Sequence, residues 1–328
     1  MAENIALVFT VDEDIIKRFA LPALQTVNER QRQINKVRNM YPDFLVIGAQ
    51  KSGTTWLYQN LRAHPQIWLP PEKEIHFFDF PPLIPFYFLL FAPERSIRHW
   101  GMNRMIRDYH KVKAGQQSAS WYMRYYLLPR TKRWYRSLFT PNEGQVAGEI
   151  TPRYSALNDK GVAKVHALMP NAKLIYLLRN PIDRMWSDLA MYHSSRFGHD
   201  GLHTIDEQRI LSFIENSKHL ASSRYINNLA RWEQYYPSSQ IFVGFQDQIR
   251  DEPQNLLKAI YQFLEVDSVH QPNSSIVNKR INSHSYPEIP GHIAKMLART
   301  FIEDIETLHQ RFNNIYTAEW LKSTQSFL

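Results

Sequence analysis

The sequence predicts an α/β fold in which a parallel β-sheet is flanked by helices on both faces. Two observations support this prediction. Short apolar runs, typical of strands that are buried on both faces, recur along the chain, and segments of helical periodicity lie between them. Strands that alternate with helices favour a parallel sheet, because each helix carries the chain back to the same edge of the sheet.

The elements follow in order from these patterns. The first strand candidate, FLVIGA, is wholly apolar and ends in glycine before a polar loop, which is typical of a buried strand that leads into a turn. The strand candidates cover residues 44–49, 66–69, 145–150, 173–178 and 240–245. Helical patterns cover residues 55–63, 181–195, 207–220, 224–236, 252–264 and 291–312.

The chain of 328 residues needs only one large domain. Residues 1–40 are predicted to form an N-terminal helical extension, and residues 41–328 a single domain. Within it, residues 80–140 hold many aromatic and basic side chains and no clear strand, which indicates an insertion over the mouth of the sheet. The apolar run at 80–93 is too short and too rich in proline to cross a bilayer. It is either a buried wall or short core helix, or an apolar lip of a binding site or interfacial patch.

Composition narrows the function. There are 39 Lys and Arg against 31 Asp and Glu, so the net charge of +8 favours a polyanionic partner. The chain has no cysteine, which excludes a disulfide scaffold, a Cys-ligated zinc site and thiol catalysis. Because no signal peptide or membrane span is evident, we expect a cytoplasmic protein.

The loop GAQKSGTTWL follows the first strand and opens a helix, a geometry that presents backbone N–H groups to an anion. Gly48 and Gly53 have the glycine spacing of a nucleoside-triphosphatase loop. The next two positions are Thr54 and Thr55, however, where that loop requires Lys followed by Ser or Thr. The lysine lies inside the loop instead, as Lys51. The pattern therefore indicates a phosphate-bearing nucleotide other than a nucleoside triphosphate.

KSGTTW resembles the phosphosulfate-binding loop of the sulfotransferases that use 3′-phosphoadenosine 5′-phosphosulfate (PAPS). The resemblance implies the P-loop-like sulfotransferase fold. It also implies that Lys51 stabilises charge on the departing phosphate oxygen and that Trp56 stacks on adenine, although Trp56 could equally belong to the core. The residues implied to hold the 5′-phosphosulfate are Lys51, Ser52, Gly53, Thr54 and Thr55.

A second phosphate site is predicted where the strand at 173–178 ends. Arg179 follows that strand, Asn180 is a good N-cap, and Ser187 lies two turns into the next helix. A guanidinium at the carboxyl end of a parallel strand lies beside the ligand crevice. The spacing R-x(7)-S resembles the 3′-phosphate site of the sulfotransferase family, so the resemblance assigns Arg179 and Ser187 to that phosphate.

The segment PEKEIHFFDF resembles the E-x-H-F-F element of Golgi-type and bacterial sulfotransferases. The resemblance implies that Glu74 is the general base and that His76 contacts the reacting groups. On extended backbone these two side chains would project from the same side of the chain. Two alternatives stay open: Glu74 only pairs with Lys73 or Arg153, or His76 is itself the base.

Four further residues carry weaker assignments. In GEITPRY, Glu149 is an alternative base or a structural carboxylate, and Ile150 stands where several glycan sulfotransferases have a catalytic lysine. Tyr225 resembles a tyrosine near the adenine, or is a core residue. Lys279 and Arg280 are expected to close over the nucleotide, although the family's K-G-R element is absent.

The sequence thus predicts an enzyme that transfers sulfonate in line from PAPS, with PAP as product, to a hydroxyl or similar nucleophile. The acceptor is a small molecule, a natural product or a glycan, and neither a metal nor a nucleic acid is expected to take part. A P-loop-type kinase and a non-enzymatic polyanion-binding protein, suggested by the basic, aromatic segment PRTKRWYR, are the alternatives. The acceptor's identity, O- versus N-sulfation and the oligomeric state stay open.

Overall fold

A computed structural model describes residues 40–80, 95–115, 117–197, 207–270, 277 and 288–328. The chain divides into two units, Met1–Met40 and Tyr41–Leu328. All elements given below belong to the second unit, whereas the predicted N-terminal helical extension and most of the apolar run at 80–93 lie outside the described residues.

The second unit contains a five-stranded, fully parallel sheet with the strand order β2-β3-β1-β4-β5. The predicted sheet is therefore confirmed, and each strand lies within a predicted segment. The strands are β1 Phe44–Gly48, β2 Ile67–Trp68, β3 Val146–Ile150, β4 Lys173–Leu178 and β5 Ile241–Phe245.

Helices connect the strands and cover both faces. The described helices up to β4 are α1 Thr54–Ala63, α2 Arg95–Lys113, α3 Ala119–Leu127, α4 Lys132–Ser137 and α5 Asp159–Leu168. Those after β4 are α6 Pro181–Phe197, α7 Glu207–Glu215, α8 Ser217–Ala221, α9 Tyr225–Glu233, α10 Gln246–Asp251, α11 Pro253–Phe263, α12 Gly291–Phe312 and α13 Ile315–Gln325. Short 3₁₀ helices span Pro152–Ala156 and Ser238–Gln240.

Two hydrophobic clusters, one on each face of the sheet, explain why the strands are continuously apolar. Leu45 and Ile47 of β1 belong to the cluster that includes α3 to α6, α9 and α12, whereas Phe44 and Val46 belong to the cluster beneath α1 and α11. Alternate side chains of one strand thus enter opposite cores. Gly148 of β3 is required at this place, because a Cβ there would lie 2.0 Å from the ring of Phe44.

One sequence interpretation needs correction. The pattern at 207–220 predicts one helix, but the structure has α7 and α8, which are separated at Asn216.

Arg184 of α6 is fully buried and forms a salt bridge with Asp188. Its guanidinium donates to Ser223 Oγ (2.6 Å) and to the carbonyl of His219 (3.1 Å), and it lies 3.4 Å from Asp188 Oδ2.

Of the helices that the structure describes, none combines the length and the apolar composition that crossing a bilayer requires.

Arg184 links α6 to the α8–α9 turn and is shielded from solvent. We therefore expect its replacement to destabilise the fold. Arg184→Met should lower the free energy of unfolding by about 3–5 kcal/mol, since it leaves the buried Asp188 carboxylate without this partner. Arg231→Met is the control, because Arg231 pairs with the exposed Asp159 (3.1 Å) and should cost about 0–1 kcal/mol. Urea titration of both variants measures the difference, and equal losses would contradict this role of Arg184.

Candidate active site

The predicted site residues meet at the carboxyl edge of three adjacent strands. β1 lies between β3 and β4, so the loop at 49–53 lies between the ends of its two neighbours. Arg179 follows the end of β4 directly, and the N–H of Glu74 donates to the carbonyl of Ile150 at the end of β3 (2.9 Å). In open α/β sheets this edge forms the ligand crevice.

The loop after β1 has the backbone that an anion site requires. Gly53, the N-cap of α1, has a left-handed φ of 84°, and a Cβ there would lie 2.2 Å from Ile249 Cδ1, so only glycine fits. No side chain caps the ten-residue helix α1, and its first turn contains no acidic residue. The positive end of this helix therefore faces the crevice without a protein anion.

The hydroxyl of Ser52 points to a ligand at this helix end. Ser52 is fully buried, and its Oγ has no hydrogen-bond partner among the described residues. Tyr225, also fully buried, lies beside it, and its phenolic oxygen likewise has no partner of good geometry. Buried hydroxyls are rarely left unsatisfied, so a bound oxyanion at the start of α1 fits this loop.

Tyr225 is enclosed by protein. Its ring packs edge-on against Tyr176, with centroids 5.8 Å apart, and burial raises its pKa to about 12. The contact predicted between Tyr225 and adenine stays a prediction.

Cations cluster around the loop. The guanidinium of Arg179 donates to the carbonyl of Lys51 (3.2 Å), and Lys51 Nζ lies 3.7 Å from Met191 Sδ. Burial lowers the pKa of Lys51; Asp188 opposes this effect, whereas Arg179 and Lys73 add to it. Such crowding of like charges favours an anionic ligand.

The N-cap predicted after β4 is confirmed, because Asn180 Oδ1 accepts from the N–H of Ile182 (2.9 Å). Ser187 is buried two turns further along α6.

Lys73 is a site residue that the sequence reasoning treated only as a pairing partner of Glu74. Its ammonium group donates to Thr54 Oγ1 (3.1 Å), Thr55 Oγ1 (3.3 Å) and Glu74 Oε1 (3.0 Å). It thus links the first turn of α1 to the predicted base. Its position directly before Glu74 in the PEKEIHFFDF segment was the only signal in the sequence.

Glu74, His76 and Asp79 form a line of charged groups. His76 Nε2 lies 3.4 Å from Glu74 Oε2, and His76 Nδ1 lies 2.8 Å from Asp79 Oδ2. Burial lowers the pKa of His76, but the two carboxylates outweigh it and raise this pKa above its ordinary value. Burial raises the pKa of Glu74, but His76 and Lys73 outweigh it and lower this pKa to about 2. These shifts favour the protonated form of His76 between two carboxylates.

The backbone of this segment is not extended as predicted. Glu74 and His76 have left-handed φ values of 66° and 58°, yet their side chains still meet. Neighbouring groups hold this unfavourable conformation. Arg130 donates to the carbonyls of Ile75 (3.0 Å) and His76, and the N–H of Phe77 donates to Tyr154 Oη (2.8 Å).

Glu149 does not face the crevice. It is fully buried and accepts hydrogen bonds from Thr151 Oγ1 (2.7 Å), Tyr154 Oη (2.8 Å) and the hydroxyl of Tyr135. Burial raises the pKa of Glu149, although these hydroxyl donors oppose that effect. Of its two predicted roles, the geometry is that of the structural carboxylate.

Trp56 belongs to the core. It is buried under α11, and its indole N–H donates to the carbonyl of Val277 (2.9 Å). Its predicted stacking on adenine stays a prediction. Lys279 and Arg280 lie outside the described residues. Within the part of the chain that the structure describes, no group of three or more His, Asp or Glu side chains could hold a metal ion.

The glycine-bounded loop after β1, Arg179 after β4 and the Glu74–His76 pair thus meet at one edge of a parallel sheet. A sequence profile of the sulfotransferase family matches residues 42–271, well over half of the chain. The chain therefore belongs to the sulfotransferase family.

Two human proteins are similar to this chain. Heparan sulfate glucosamine 3-O-sulfotransferase 6 of Homo sapiens is 24% identical over 233 residues, which cover 71% of this chain and 54% of that protein. Bifunctional heparan sulfate N-deacetylase/N-sulfotransferase 2 of Homo sapiens is 27% identical over 246 residues, which cover 70% of this chain and 23% of that protein. The chain thus spans about half or less of the length of these relatives.

The fold is shared with a bacterial enzyme. The crystal structure of a sulfotransferase from Alicyclobacillus acidocaldarius has a TM-score of 0.56 and 21% sequence identity, and the match covers 85% of this chain and 98% of that one. This similarity confirms the predicted sulfotransferase fold.

The imidazolium assigned to His76 can be tested by titration. Its pKa should lie above 6.5 in the wild type and fall in Asp79→Asn, because burial then acts with one carboxylate fewer opposing it. Since the folded-state pKa is raised, His76 contributes stability that is complete below about pH 6.5 and is lost as pH rises through the raised pKa. Long-range ¹H–¹⁵N NMR, with His76→Gln for assignment, measures the titration; an unchanged pKa in Asp79→Asn would contradict the assignment.

Proposed function

We propose that this sulfotransferase transfers the sulfonate group of PAPS to a hydroxyl of a small molecule, a natural product or a glycan, with Glu74 as general base. One observation carries the proposal: the glycine-bounded loop, Arg179 and the Glu74–His76 pair converge at one edge of the sheet. An anion site and a proton acceptor are the two parts that sulfonate transfer requires.

Two separate anion sites suit a nucleotide that is phosphorylated at both ends. Lys51, Ser52 and the first turn of α1, with Thr54 and Thr55, are assigned to the 5′-phosphosulfate. Arg179 and Ser187, from β4 and α6, are assigned to the 3′-phosphate. The uncapped start of α1 and the unpartnered Ser52 hydroxyl support the first assignment. The hydrogen bond from Arg179 to the carbonyl of Lys51 supports the second, because it holds the guanidinium next to the loop that is assigned to the 5′-phosphosulfate.

The chemistry divides among the chain's own residues. When bound, the donor supplies an activated sulfonate. Glu74 accepts the proton of the acceptor hydroxyl as the new O–S bond forms and the S–O bond to the 5′-phosphate breaks. The electron pair of the broken bond stays on the phosphate oxygen, where Lys51 offsets the charge. The Glu74 side chain is 32% exposed and ionised at neutral pH, so an acceptor hydroxyl can reach its carboxylate.

His76 and Asp79 orient this base. A protonated His76 donates one N–H towards Glu74 and the other to Asp79, which holds the carboxylate in place and leaves its second oxygen to Lys73. The alternative of His76 as base is disfavoured by the same contacts, since an imidazolium between two carboxylates has no free lone pair.

The two alternative functions are set aside. Family membership makes the chain a sulfotransferase, and Thr54 and Thr55 stand where a kinase loop needs its lysine and hydroxyl pair. The aromatic residues of the segment PRTKRWYR, Trp134 and Tyr135, are buried, so they offer no stacking face to nucleic-acid bases.

The nucleotide assignment is tested through the 3′-phosphate. Wild-type protein should bind PAPS about 10- to 100-fold more tightly than adenosine 5′-phosphosulfate, and Arg179→Ala should lose that preference, because a charged hydrogen bond to the 3′-phosphate is removed. Arg231→Ala, at a partly exposed residue of α9, is the control for loss of one positive charge and should keep the preference. Isothermal titration measures all affinities. If Arg179→Ala keeps the wild-type ratio, Arg179 does not bind the 3′-phosphate.

The base is tested with two carboxylates. Glu74→Gln should reduce the single-turnover rate at saturating PAPS by about 10²- to 10⁴-fold with little change in PAPS affinity, because only the proton acceptor is lost. Glu149→Gln should lower stability and reduce the rate far less, since Glu149 is buried away from the crevice. The reaction is followed by mass spectrometry of a panel of hydroxyl compounds. An active Glu74→Gln beside an inactive Glu149→Gln would place the base on β3.

A further inference from the structure

Lys73 is placed where the transferring group would lie. Its ammonium group, whose side chain is 18% exposed, stands between the hydroxyls of Thr54 and Thr55 on one side and Glu74 on the other. Thr54 and Thr55 belong to the proposed anion site at the start of α1, and Glu74 is the proposed proton acceptor. A sulfonate group that moves from this anion site to an acceptor hydroxyl at Glu74 therefore moves past the ammonium group of Lys73.

Among the residues that the structure describes, β3 itself ends in an apolar side chain at this point, and Arg153 beyond it pairs with Asp79. Ile150, the last residue of that strand, is buried in the apolar cluster with Trp56 and Val277. The N–H of Glu74 donates to the carbonyl of Ile150, so the segment that carries Lys73 lies directly over the strand end. Lys73 therefore brings a positive charge to the end of β3, in addition to Lys51 after β1 and Arg179 after β4.

We propose that Lys73 is a further catalytic residue, which contacts the sulfonate oxygens of the donor. As this contact forms, the ion pair between Lys73 and Glu74 breaks. This inference rests on the proposed function. On donor binding, the hydroxyls of Thr54 and Thr55 exchange Lys73 for the phosphosulfate, and the ammonium turns from its present partners to the sulfonate. Its charge then counters the negative charge of the transferring group.

The proposed contact between Lys73 and the sulfonate also changes the pKa of Glu74, the proposed base. In the protein as described, the groups that face Glu74 are Lys73 and His76, with Asp79 and Arg153 behind His76. Lys73 and His76 lower the pKa of Glu74, which makes it a weak proton acceptor. A donor anion that shares the Lys73 charge raises that pKa. Glu74 thus becomes an effective base only when the sulfonate is in place.

The test compares Lys73→Met with Lys164→Met. Lys164 Nζ lies 5.2 Å from the ring of Phe77, close to the same segment, so its removal takes one equal charge from the neighbourhood without touching the crevice groups. Isothermal titration with PAPS and with PAP, in the absence of acceptor, reports the sulfonate contact directly. We expect Lys73→Met to weaken PAPS about 10- to 100-fold and PAP by at most about threefold, and Lys164→Met to leave both unchanged.

Rates and stability complete the test. The single-turnover rate should fall about 10²- to 10³-fold in Lys73→Met, and Lys73→Arg should recover part of both the PAPS affinity and the rate. An unchanged ratio of PAPS to PAP affinity in Lys73→Met would overturn the proposal. Equal weakening of both nucleotides, together with a lower melting temperature, would also overturn it and would assign Lys73 to the packing of α1.

The outcome separates this inference from the function beneath it. If wild-type protein binds neither PAPS nor PAP, the proposed donor is wrong. Suppose instead that wild-type protein and Lys164→Met bind PAPS and catalyse the reaction, and that Lys73→Met does the same with the wild-type ratio of PAPS to PAP affinity. The donor assignment then stands, and only the role of Lys73 fails.

Discussion

The buried carboxylate of Glu149 is the constraint on which the reaction centre depends. A charge without solvent must be hydrogen-bonded, and Glu149 is satisfied by hydroxyls from Tyr135, Thr151 and Tyr154. Tyr154 then accepts from the N–H of Phe77, which follows His76 directly. The position of the Glu74–His76 segment is therefore set by a group on β3 that does not touch the crevice itself.

The part of the chain between β2 and β3 adds a second support. Arg130 is buried and donates to the carbonyls of Ile75 and His76, which stabilises two left-handed residues that the backbone alone disfavours. Before them, Glu72 is buried with Arg104 (3.3 Å) and Lys111 (2.7 Å) of α2 and accepts from Tyr122 of α3 (2.7 Å). The described part of the insertion that the sequence predicts over the sheet thus fixes the segment that carries Glu74 and His76.

The sequence predicts local and periodic features well. All five strands, the glycine-bounded loop and the Asn180 cap follow from apolar runs and residue preferences that act over a few positions. The left-handed backbone at Glu74 and His76 could not be predicted, because it depends on Arg130, 54 residues from His76. The complete burial of Arg184 could not be predicted for the same reason: a charged residue in an amphipathic helix is usually exposed, and its partner Ser223 comes from a distant turn.

Lys73 illustrates this limit within the site itself. Because Lys73 precedes Glu74 in the sequence, the sequence predicts only an ion pair between the two. The parallel strand order β3-β1-β4 is what brings Lys73 to the start of α1. The fold thereby surrounds one crevice with Lys51, Lys73 and Arg179, and their mutual repulsion contributes to the lowered pKa of Lys51. A bound polyanion relieves that repulsion, so part of the affinity for the polyanion comes from the repulsion between these cations in the free protein. Since such long-range charge interactions are screened by salt, the same arrangement ties recognition of the donor to ionic strength.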